Sequence, residues 1–318
     1  MNSLSDELVR QSALADDDND IAEVGGRIVY LSRKLFDDYE PSQFQRFKER
    51  LDKWLGNVED EDERKTLYRL AGSIFFVGRM EFESLCRAAF HGPIIRWIID
   101  SLQIAFDDPN ACAALEGAVN ETWFCPVTDS MRINAFLKVN QLDGKQLRPE
   151  WRSLARFGDA SKIKKFIQNN SIKRIVLLED FVGTGTQIKP AITYAAEMLP
   201  DIAIICCPLL ICPDGIAVGE ALAKKYPNLT FEPIFKLQAD QFIKYEPTAD
   251  EPRLYGDIRA LIANLSNRMT VQAGRDTHGF GGTGALVVLY SNCPNNTLPV
   301  IHDATENWYP LFPRIRRR

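Results

Sequence analysis

The sequence predicts an α/β fold: a parallel sheet with helices on both faces, preceded by an α-helical lobe. Two observations lead there. From about residue 120 onward, short continuous apolar runs alternate with helix-period stretches, as strands buried on both faces require. Before about residue 106 the apolar residues recur at helical spacing, and no strand signature is present.

The elements follow in order. Residues 1–20 are polar and end in Asp16-Asp17-Asp18-Asn19-Asp20, so they are expected to form a flexible acidic lead-in. A helical domain is expected over 21–106. Ile28, Leu31, Leu35 and Phe36 lie at helix spacing, and Phe44, Phe47, Leu51, Trp54 and Leu55 follow a start at Pro41. Further helices are predicted at Asp62–Arg79, Met80–Ala89 and Pro93–Ile104. The turn cluster Asp107-Asp108-Pro109-Asn110 marks the boundary to an α/β domain over 110–318. That domain reads as a strand at 123–127, a helix at Ile133–Val139, and a polar connection through Gly144 and Pro149. A helix at Ser161–Asn169 and a strand at 174–178 follow. Helices at about 189–198 and 215–225 then alternate with strands at Ile202–Leu210 and Leu229–Phe235. A helix at Pro252–Arg268, the run Gly279-Phe280-Gly281-Gly282-Thr283-Gly284 and a strand at Ala285–Tyr290 close the sequence pattern.

Composition bounds the rest. Hydrophobic residues make up 45% and charged residues 25%, the ordinary globular range. No apolar run reaches the ~20 residues of a membrane span, and the amino terminus lacks the basic and apolar regions of a secretory signal. Seven cysteines show no C-x-x-C pair, which fits reduced thiols and a cytoplasmic location. The net charge of −5 does not advertise nucleic-acid binding. Arg314, Arg316, Arg317 and Arg318 are the exception, either a solvated terminus or a contact for nucleic acid or an acidic partner.

The most informative stretch is Ile175-Val176-Leu177-Leu178-Glu179-Asp180-Phe181-Val182-Gly183-Thr184-Gly185-Thr186. It reads as a buried strand, two adjacent carboxylates at its carboxyl end, and a Gly/Thr loop leading into a helix near Pro190. Backbone N–H groups of such a turn, at the positive end of a helix, suit a phosphate, while adjacent carboxylates can accept bonds from vicinal hydroxyls. The plainer reading is a tight turn whose Asp180 caps the helix. Glu179 and Asp180 repel one another unless hydrogen-bond donors or a cation compensate. In an open α/β sheet, ligands bind beyond the carboxyl ends of strands. The Glu179–Gln187, Thr128–Arg132 and Cys212–Gly215 segments all lie at such ends.

This stretch resembles the 5-phosphoribosyl-diphosphate (PRPP) loop of type I phosphoribosyltransferases. The resemblance implies a type I phosphoribosyltransferase-like sheet. Glu179 and Asp180 would then be the catalytic pair on the ribose 2′- and 3′-hydroxyls, and Gly183, Thr184, Gly185, Thr186 and Gln187 the 5′-phosphate cradle. It further implies Mg²⁺ bound largely through the substrate's own oxygens, with no dedicated protein metal site. Two positions depart from the pattern. Gln187 stands where the loop usually ends in threonine, and Gly183 where purine-salvage members carry an acid/base residue, so ordinary hypoxanthine–guanine salvage is not expected. Asp129, Ser130 and Arg132 are candidates for a pyrophosphate loop, or for a capped helix start.

At the other end, Ser291-Asn292-Cys293-Pro294-Asn295-Asn296-Thr297-Leu298-Pro299 and Trp308-Tyr309-Pro310-Leu311-Phe312-Pro313-Arg314 resemble the ending of phosphoribosyltransferase-like proteins from bacterial conflict systems. Phe75-Phe76-Val77-Gly78 and Glu81-Phe82-Glu83-Ser84-Leu85 are similar to that family's amino-terminal part. The resemblance implies an effector component of antiviral defence, in some systems associated with a retron, acting with other defence proteins. Asn295 and Asn296 become pocket candidates, as does His302 unless it is a structural histidine.

Other chemistries fit poorly. Three histidines without an i, i+4 pair argue against a metallohydrolase. Gly183–Gly185 lacks the third glycine of a dinucleotide fingerprint, and Lys189 lies beyond the place of a P-loop lysine. Two classes stay open: an enzyme that transfers a phosphoribosyl group or cleaves a nucleotide at C1′, and a binding module that senses such a ligand or scaffolds a complex.

Overall fold

The computed structural model describes residues 3–14, 19–105, 107–142, 160–269 and 276–315. The Asp16–Asp18 run, the connection through Gly144 and Pro149, and Arg316–Arg318 lie outside the described residues. In chain order the elements are α1 (Leu4–Leu14), α2 (Asn19–Lys34), α3 (Phe47–Leu55), α4 (Glu61–Gly72), β1 (Phe75–Val77), α5 (Arg79–Ala89), α6 (Ile95–Leu102) and α7 (Ala111–Asn120). They continue with β2 (Thr122–Pro126), α8 (Ile133–Val139), α9 (Ala160–Asn169), β3 (Arg174–Val182), α10 (Ile188–Met198), β4 (Ala203–Ile211) and α11 (Pro213–Lys225). Last come β5 (Leu229–Phe231), β6 (Phe235–Lys236), α12 (Arg253–Met269), β7 (Val287–Leu289) and α13 (Pro299–His302).

The chain divides into two compact units, residues 1–79 with 239–318, and residues 80–238. The division expected at 106–110 is therefore displaced. The 107–110 turn merely joins α6 to α7 inside the second unit, and residues 239–318 group with the amino-terminal stretch. Strand pairing explains that grouping, because β1 and β7 form a parallel two-stranded sheet with Phe76 opposite Val288.

Within the unit of residues 1–79 and 239–318, three expectations are corrected. Leu4–Leu14, expected to be part of a loose lead-in, form a helix. Ser3 Oγ, Ser5 N and Ser5 Oγ all donate to Asp52 Oδ1 of α3, at 2.8, 3.0 and 2.7 Å, and Leu8 is buried. A partner so distant in sequence leaves no trace in local composition. The helix expected to start at Pro41 begins at Phe47 instead, where Asp37 Oδ1 accepts its N–H at 2.6 Å. The helix expected through Arg79 stops at Gly72, and Phe75–Val77 is a strand, so the region does contain one. An aromatic cluster of Phe36, Phe47, Phe76 and Phe312 packs around the buried Arg50, whose guanidinium donates to Leu311 O and Phe36 O.

The unit of residues 80–238 holds a parallel sheet in the order β2-β3-β4-β5, with β6 also on β4. Register aligns Cys125 with Leu177, and Leu177 with Cys206. One face packs Trp123, Cys125, Ile175, Leu177, Ile204 and Cys206 against Ile163 of α9, Ile192 of α10 and Leu222 of α11. The other face sets Phe124 against Phe136 of α8 and Phe90, which lies in the irregular turn at Gly92 and Pro93 between α5 and α6. Covered on both sides, the strands are continuous apolar runs, and each fully buried Leu or Ile stabilises the unit by roughly 1.5–3 kcal/mol. The expected 229–235 strand is two short pieces separated by Pro233, which has no N–H for the ladder. The strand expected at 285–290 is β7 and pairs with β1 rather than joining this sheet.

Candidate functional site

β3 sets Glu179 and Asp180 side by side, but inside the strand rather than beyond it. The strand continues past Leu178 because Phe181 and Val182 pair with Leu210 and Ile211 of β4. Both acids are buried, with 1% and 4% of their surface exposed. Burial on this scale is tolerable for carboxyl groups only with hydrogen-bond partners.

The partners come from the loop that follows β2. That loop is held to β3 by Val127 N donating to Leu178 O at 2.8 Å. Glu179 Oε2 accepts from Thr128 N at 2.8 Å, and its Oε1 lies 2.5 Å from Thr128 Oγ1 and 2.9 Å from Ser130 Oγ. Ser130 Oγ also lies 2.8 Å from Asp180 Oδ1 and 2.7 Å from Thr128 Oγ1. Asp180 Oδ1 accepts the Phe181 N–H at 2.8 Å. The loop that follows β2 is thereby tied to strand β3 through Thr128 and Ser130. Burial, and then the neighbouring Asp180, hold the Glu179 carboxyl well above the usual carboxylate range. Around the pair, burial also pushes the Cys86 thiol of α5 up to about 12 and raises that of Cys206 on β4, so neither is a ready nucleophile.

The Gly183–Gln187 turn joins β3 to α10. Gly183 and Gly185 are buried, Thr184 is half-buried, and Thr186 and Gln187 are exposed. Gly185 has φ +80°, a conformation open mainly to glycine. The Thr184 and Thr186 hydroxyls lie 2.8 Å apart. Gln187 stands at the cap position of α10 and makes no side-chain cap bond, and Pro190 brings no N–H to the first turn. An uncapped helix start with its positive dipole end at a glycine turn suits an anion. α11 closes in from the β4 side. Cys212 N donates to Val182 O at 2.8 Å, and a Cβ on Gly215 would lie 2.8 Å from Gly183 O.

The other sequence candidates are placed differently. Asp129 is exposed in the turn, and Arg132 is half-buried just before α8, where it makes no side-chain cap bond. Asn295 and Asn296 belong to the unit of residues 1–79 and 239–318, where they brace the glycine run. Asn295 O accepts from Phe280 N at 2.8 Å, while Asn296 Nδ2 donates to Phe280 O at 3.1 Å and to Thr283 Oγ1 at 2.9 Å. Asn296 is 5% exposed. His302 is buried with Nε2 3.0 Å from Thr297 O, the environment of a structural histidine. Thr128, which enters the sequence reading only as the start of the 128–132 segment, makes two bonds to Glu179. Its signal in the sequence was slight, a hydroxyl two residues before Ser130 at a strand exit.

Among the described residues, no group of three or more His, Cys, Asp or Glu side chains could hold a metal ion, and no helix is long and apolar enough to cross a membrane. No curated protein and no solved structure matches the chain. A family model, PRTase-CE, matches residues 51–314, which take in both loops, the acid pair and the Pro/Asn block. The chain belongs to the PRTase-CE family and is a phosphoribosyltransferase-like protein.

Proposed function

We propose that the protein binds a ribose 5-phosphate ligand of the PRPP type and acts at its C1′, transferring the phosphoribosyl group to an acceptor or cleaving a nucleotide there. The observation that carries this reading is the Ser130 bridge, which joins the 128–130 loop to the Glu179–Asp180 strand. A site for ribose with a phosphate at each end needs two anion-binding loops in fixed relation, with hydrogen-bond acceptors near both. Here the Gly183–Gln187 turn takes the 5′-phosphate, Asp180 the ribose hydroxyls, and the Thr128–Arg132 loop the pyrophosphate.

Departure of pyrophosphate from C1′ leaves an oxocarbenium-like centre, which fixed dipoles and the Asp180 charge would stabilise without a covalent nucleophile. Mg²⁺, when bound, would neutralise pyrophosphate charge. The family resemblance supports Mg²⁺ held largely through the ligand's own oxygens. Glycine at 183 supplies no acid/base side chain, and this favours a second reading, a catalytically silent sensor or scaffold. In either case the resemblance to conflict-system proteins supports an effector role in antiviral defence beside partner proteins, with nucleic acid reaching it through a partner or the terminal arginines.

A thermal-shift titration with Mg²⁺–PRPP tests the reading. At about 100 times the dissociation constant, ligand should add ~2.7 kcal/mol and raise the midpoint by several degrees. Asp180→Ala should abolish the shift. An equal shift in the variant, or none in the wild type, would remove the site assignment. Pyrophosphate release on incubation separates enzyme from sensor.

A further inference from the structure

Four side-chain oxygens crowd together at the acid pair: Thr128 Oγ1, Ser130 Oγ, Glu179 Oε1 and Asp180 Oδ1. They make four contacts of 2.5–2.9 Å. Two hydroxyl groups supply two protons. If both carboxyls were ionised, two of the four contacts would press bare oxygen lone pairs together in a buried site. The charge of the neighbouring Asp180 adds to burial in favouring the protonated form of Glu179.

A third proton fills three of the four contacts and leaves only the longest, Ser130 Oγ to Glu179 Oε1 at 2.9 Å, without one of its own. With the proton on Glu179 Oε1, three bonds run in one direction: Glu179 to Thr128 Oγ1, Thr128 to Ser130 Oγ, and Ser130 to Asp180 Oδ1. The chain ends on a carboxylate, which also receives the Phe181 N–H. Meanwhile Glu179 Oε2, the carbonyl oxygen of the acid, accepts the Thr128 N–H. Glu179 then has every polar atom occupied inside the protein.

We propose that Glu179 is a positioning residue: a neutral carboxylic acid that docks the 128–130 loop onto β3 and leaves Asp180 as the single charged acceptor for a ligand. This deepens the ribose-phosphate reading, and only its ligand-binding test rests on that reading. Proton balance is simple. Folding retains on Glu179 one proton that the unfolded chain releases at neutral pH, and none is exchanged with ligand. The groups facing the carboxyl are Asp180 on the same strand, the Thr128 and Ser130 hydroxyls of the docked loop, and the Cys206 thiol of β4. Burial keeps the proton on Glu179, and the neighbouring negative charge of Asp180 does the same.

Glutamine copies a neutral acid, with one donor end and one acceptor end, whereas it cannot copy a carboxylate. Glu179→Gln is therefore expected to bind Mg²⁺–PRPP within about threefold of wild type, while Asp180→Asn loses at least about tenfold, the loss of a bond to a charged acceptor. Equal losses in the two variants would overturn the proposal. Infrared difference spectroscopy decides it without any ligand. At neutral pH the wild type should show a carboxylic-acid C=O stretch that shifts on carboxyl-¹³C glutamate labelling and disappears in Glu179→Gln. Absence of that band would overturn the proposal even if ligand binds. The band without ligand binding would sustain it while the ribose-phosphate reading failed.

Discussion

Gly185 and Val218 leave no room for a side chain between them: a Cβ on Gly185 would lie 2.9 Å from Val218 Cβ and 3.0 Å from each of its methyl carbons. The same glycine holds φ +80°. Gly185→Ala therefore meets two penalties, a left-handed backbone worth roughly 1–2 kcal/mol and overpacking worth roughly 1–3 kcal/mol. At roughly 2–4 °C per kcal/mol, the thermal midpoint should fall measurably. In a Val218→Gly background, which removes the Cβ as well as the methyl groups, Gly185→Ala should cost only the backbone part. No loss in that background would mean the conformation of Gly185 is not needed.

Thr128→Val keeps shape and removes the hydroxyl. Glu179 and Ser130 would each lose a partner in a buried site, costing about 1–3 kcal/mol in urea unfolding. The Mg²⁺–PRPP thermal shift should shrink as well, since the 128–130 loop is no longer fixed to β3. Stability unchanged within error would show that the loop is held by its backbone bonds alone.

The raised Glu179 carboxyl fixes the sign of a pH effect. Below the unfolded value of about 4.3, both states hold the proton and its contribution is full. Above it the unfolded chain releases the proton and the folded chain keeps it. Stability is then lost at up to about 1.4 kcal/mol per pH unit until the folded group ionises. Glu179→Gln lacks this proton. Its stability relative to wild type should rise from roughly pH 5 to pH 7, read from urea midpoints at each pH. A flat or falling difference would mean that Glu179 is ionised in the folded protein.

Much of the sheet was legible because its strands are apolar on both sides and its helices carry a clear period. Ile133–Val139 falls where the period placed it, and Ala203–Ile211 differs by a residue at each end. What escaped were features fixed by distant partners. Leu4–Leu14 is bonded at its start to Asp52, and Phe75–Val77 is a strand paired with Val287–Leu289. At the site, adjacent acids and a Gly/Thr turn were visible in sequence. Their contacts with Thr128 and Ser130 were not, since these are made across two strands. The contacts of Asn296 with Phe280 and Thr283 also lay beyond what local sequence shows.

The carboxy-terminal Trp motif makes its own prediction. Trp54 Nε1 and Trp308 Nε1 both donate to Val300 O, at 2.8 and 3.1 Å, and both rings are buried. A carbonyl oxygen has two lone pairs, so two donors saturate it. Trp54→Phe or Trp308→Phe alone leaves Val300 O with one partner, and beyond the smaller ring each should lose about 0.5–1.5 kcal/mol of hydrogen bonding. The double variant removes both indole donors from a buried carbonyl. Its loss should exceed the sum of the singles by roughly 0.5–3 kcal/mol, measured as the coupling in a double-mutant cycle of urea unfolding. Strict additivity would show that water or another group replaces the indoles, and that Val300 is not what joins α3 to the Trp308 segment.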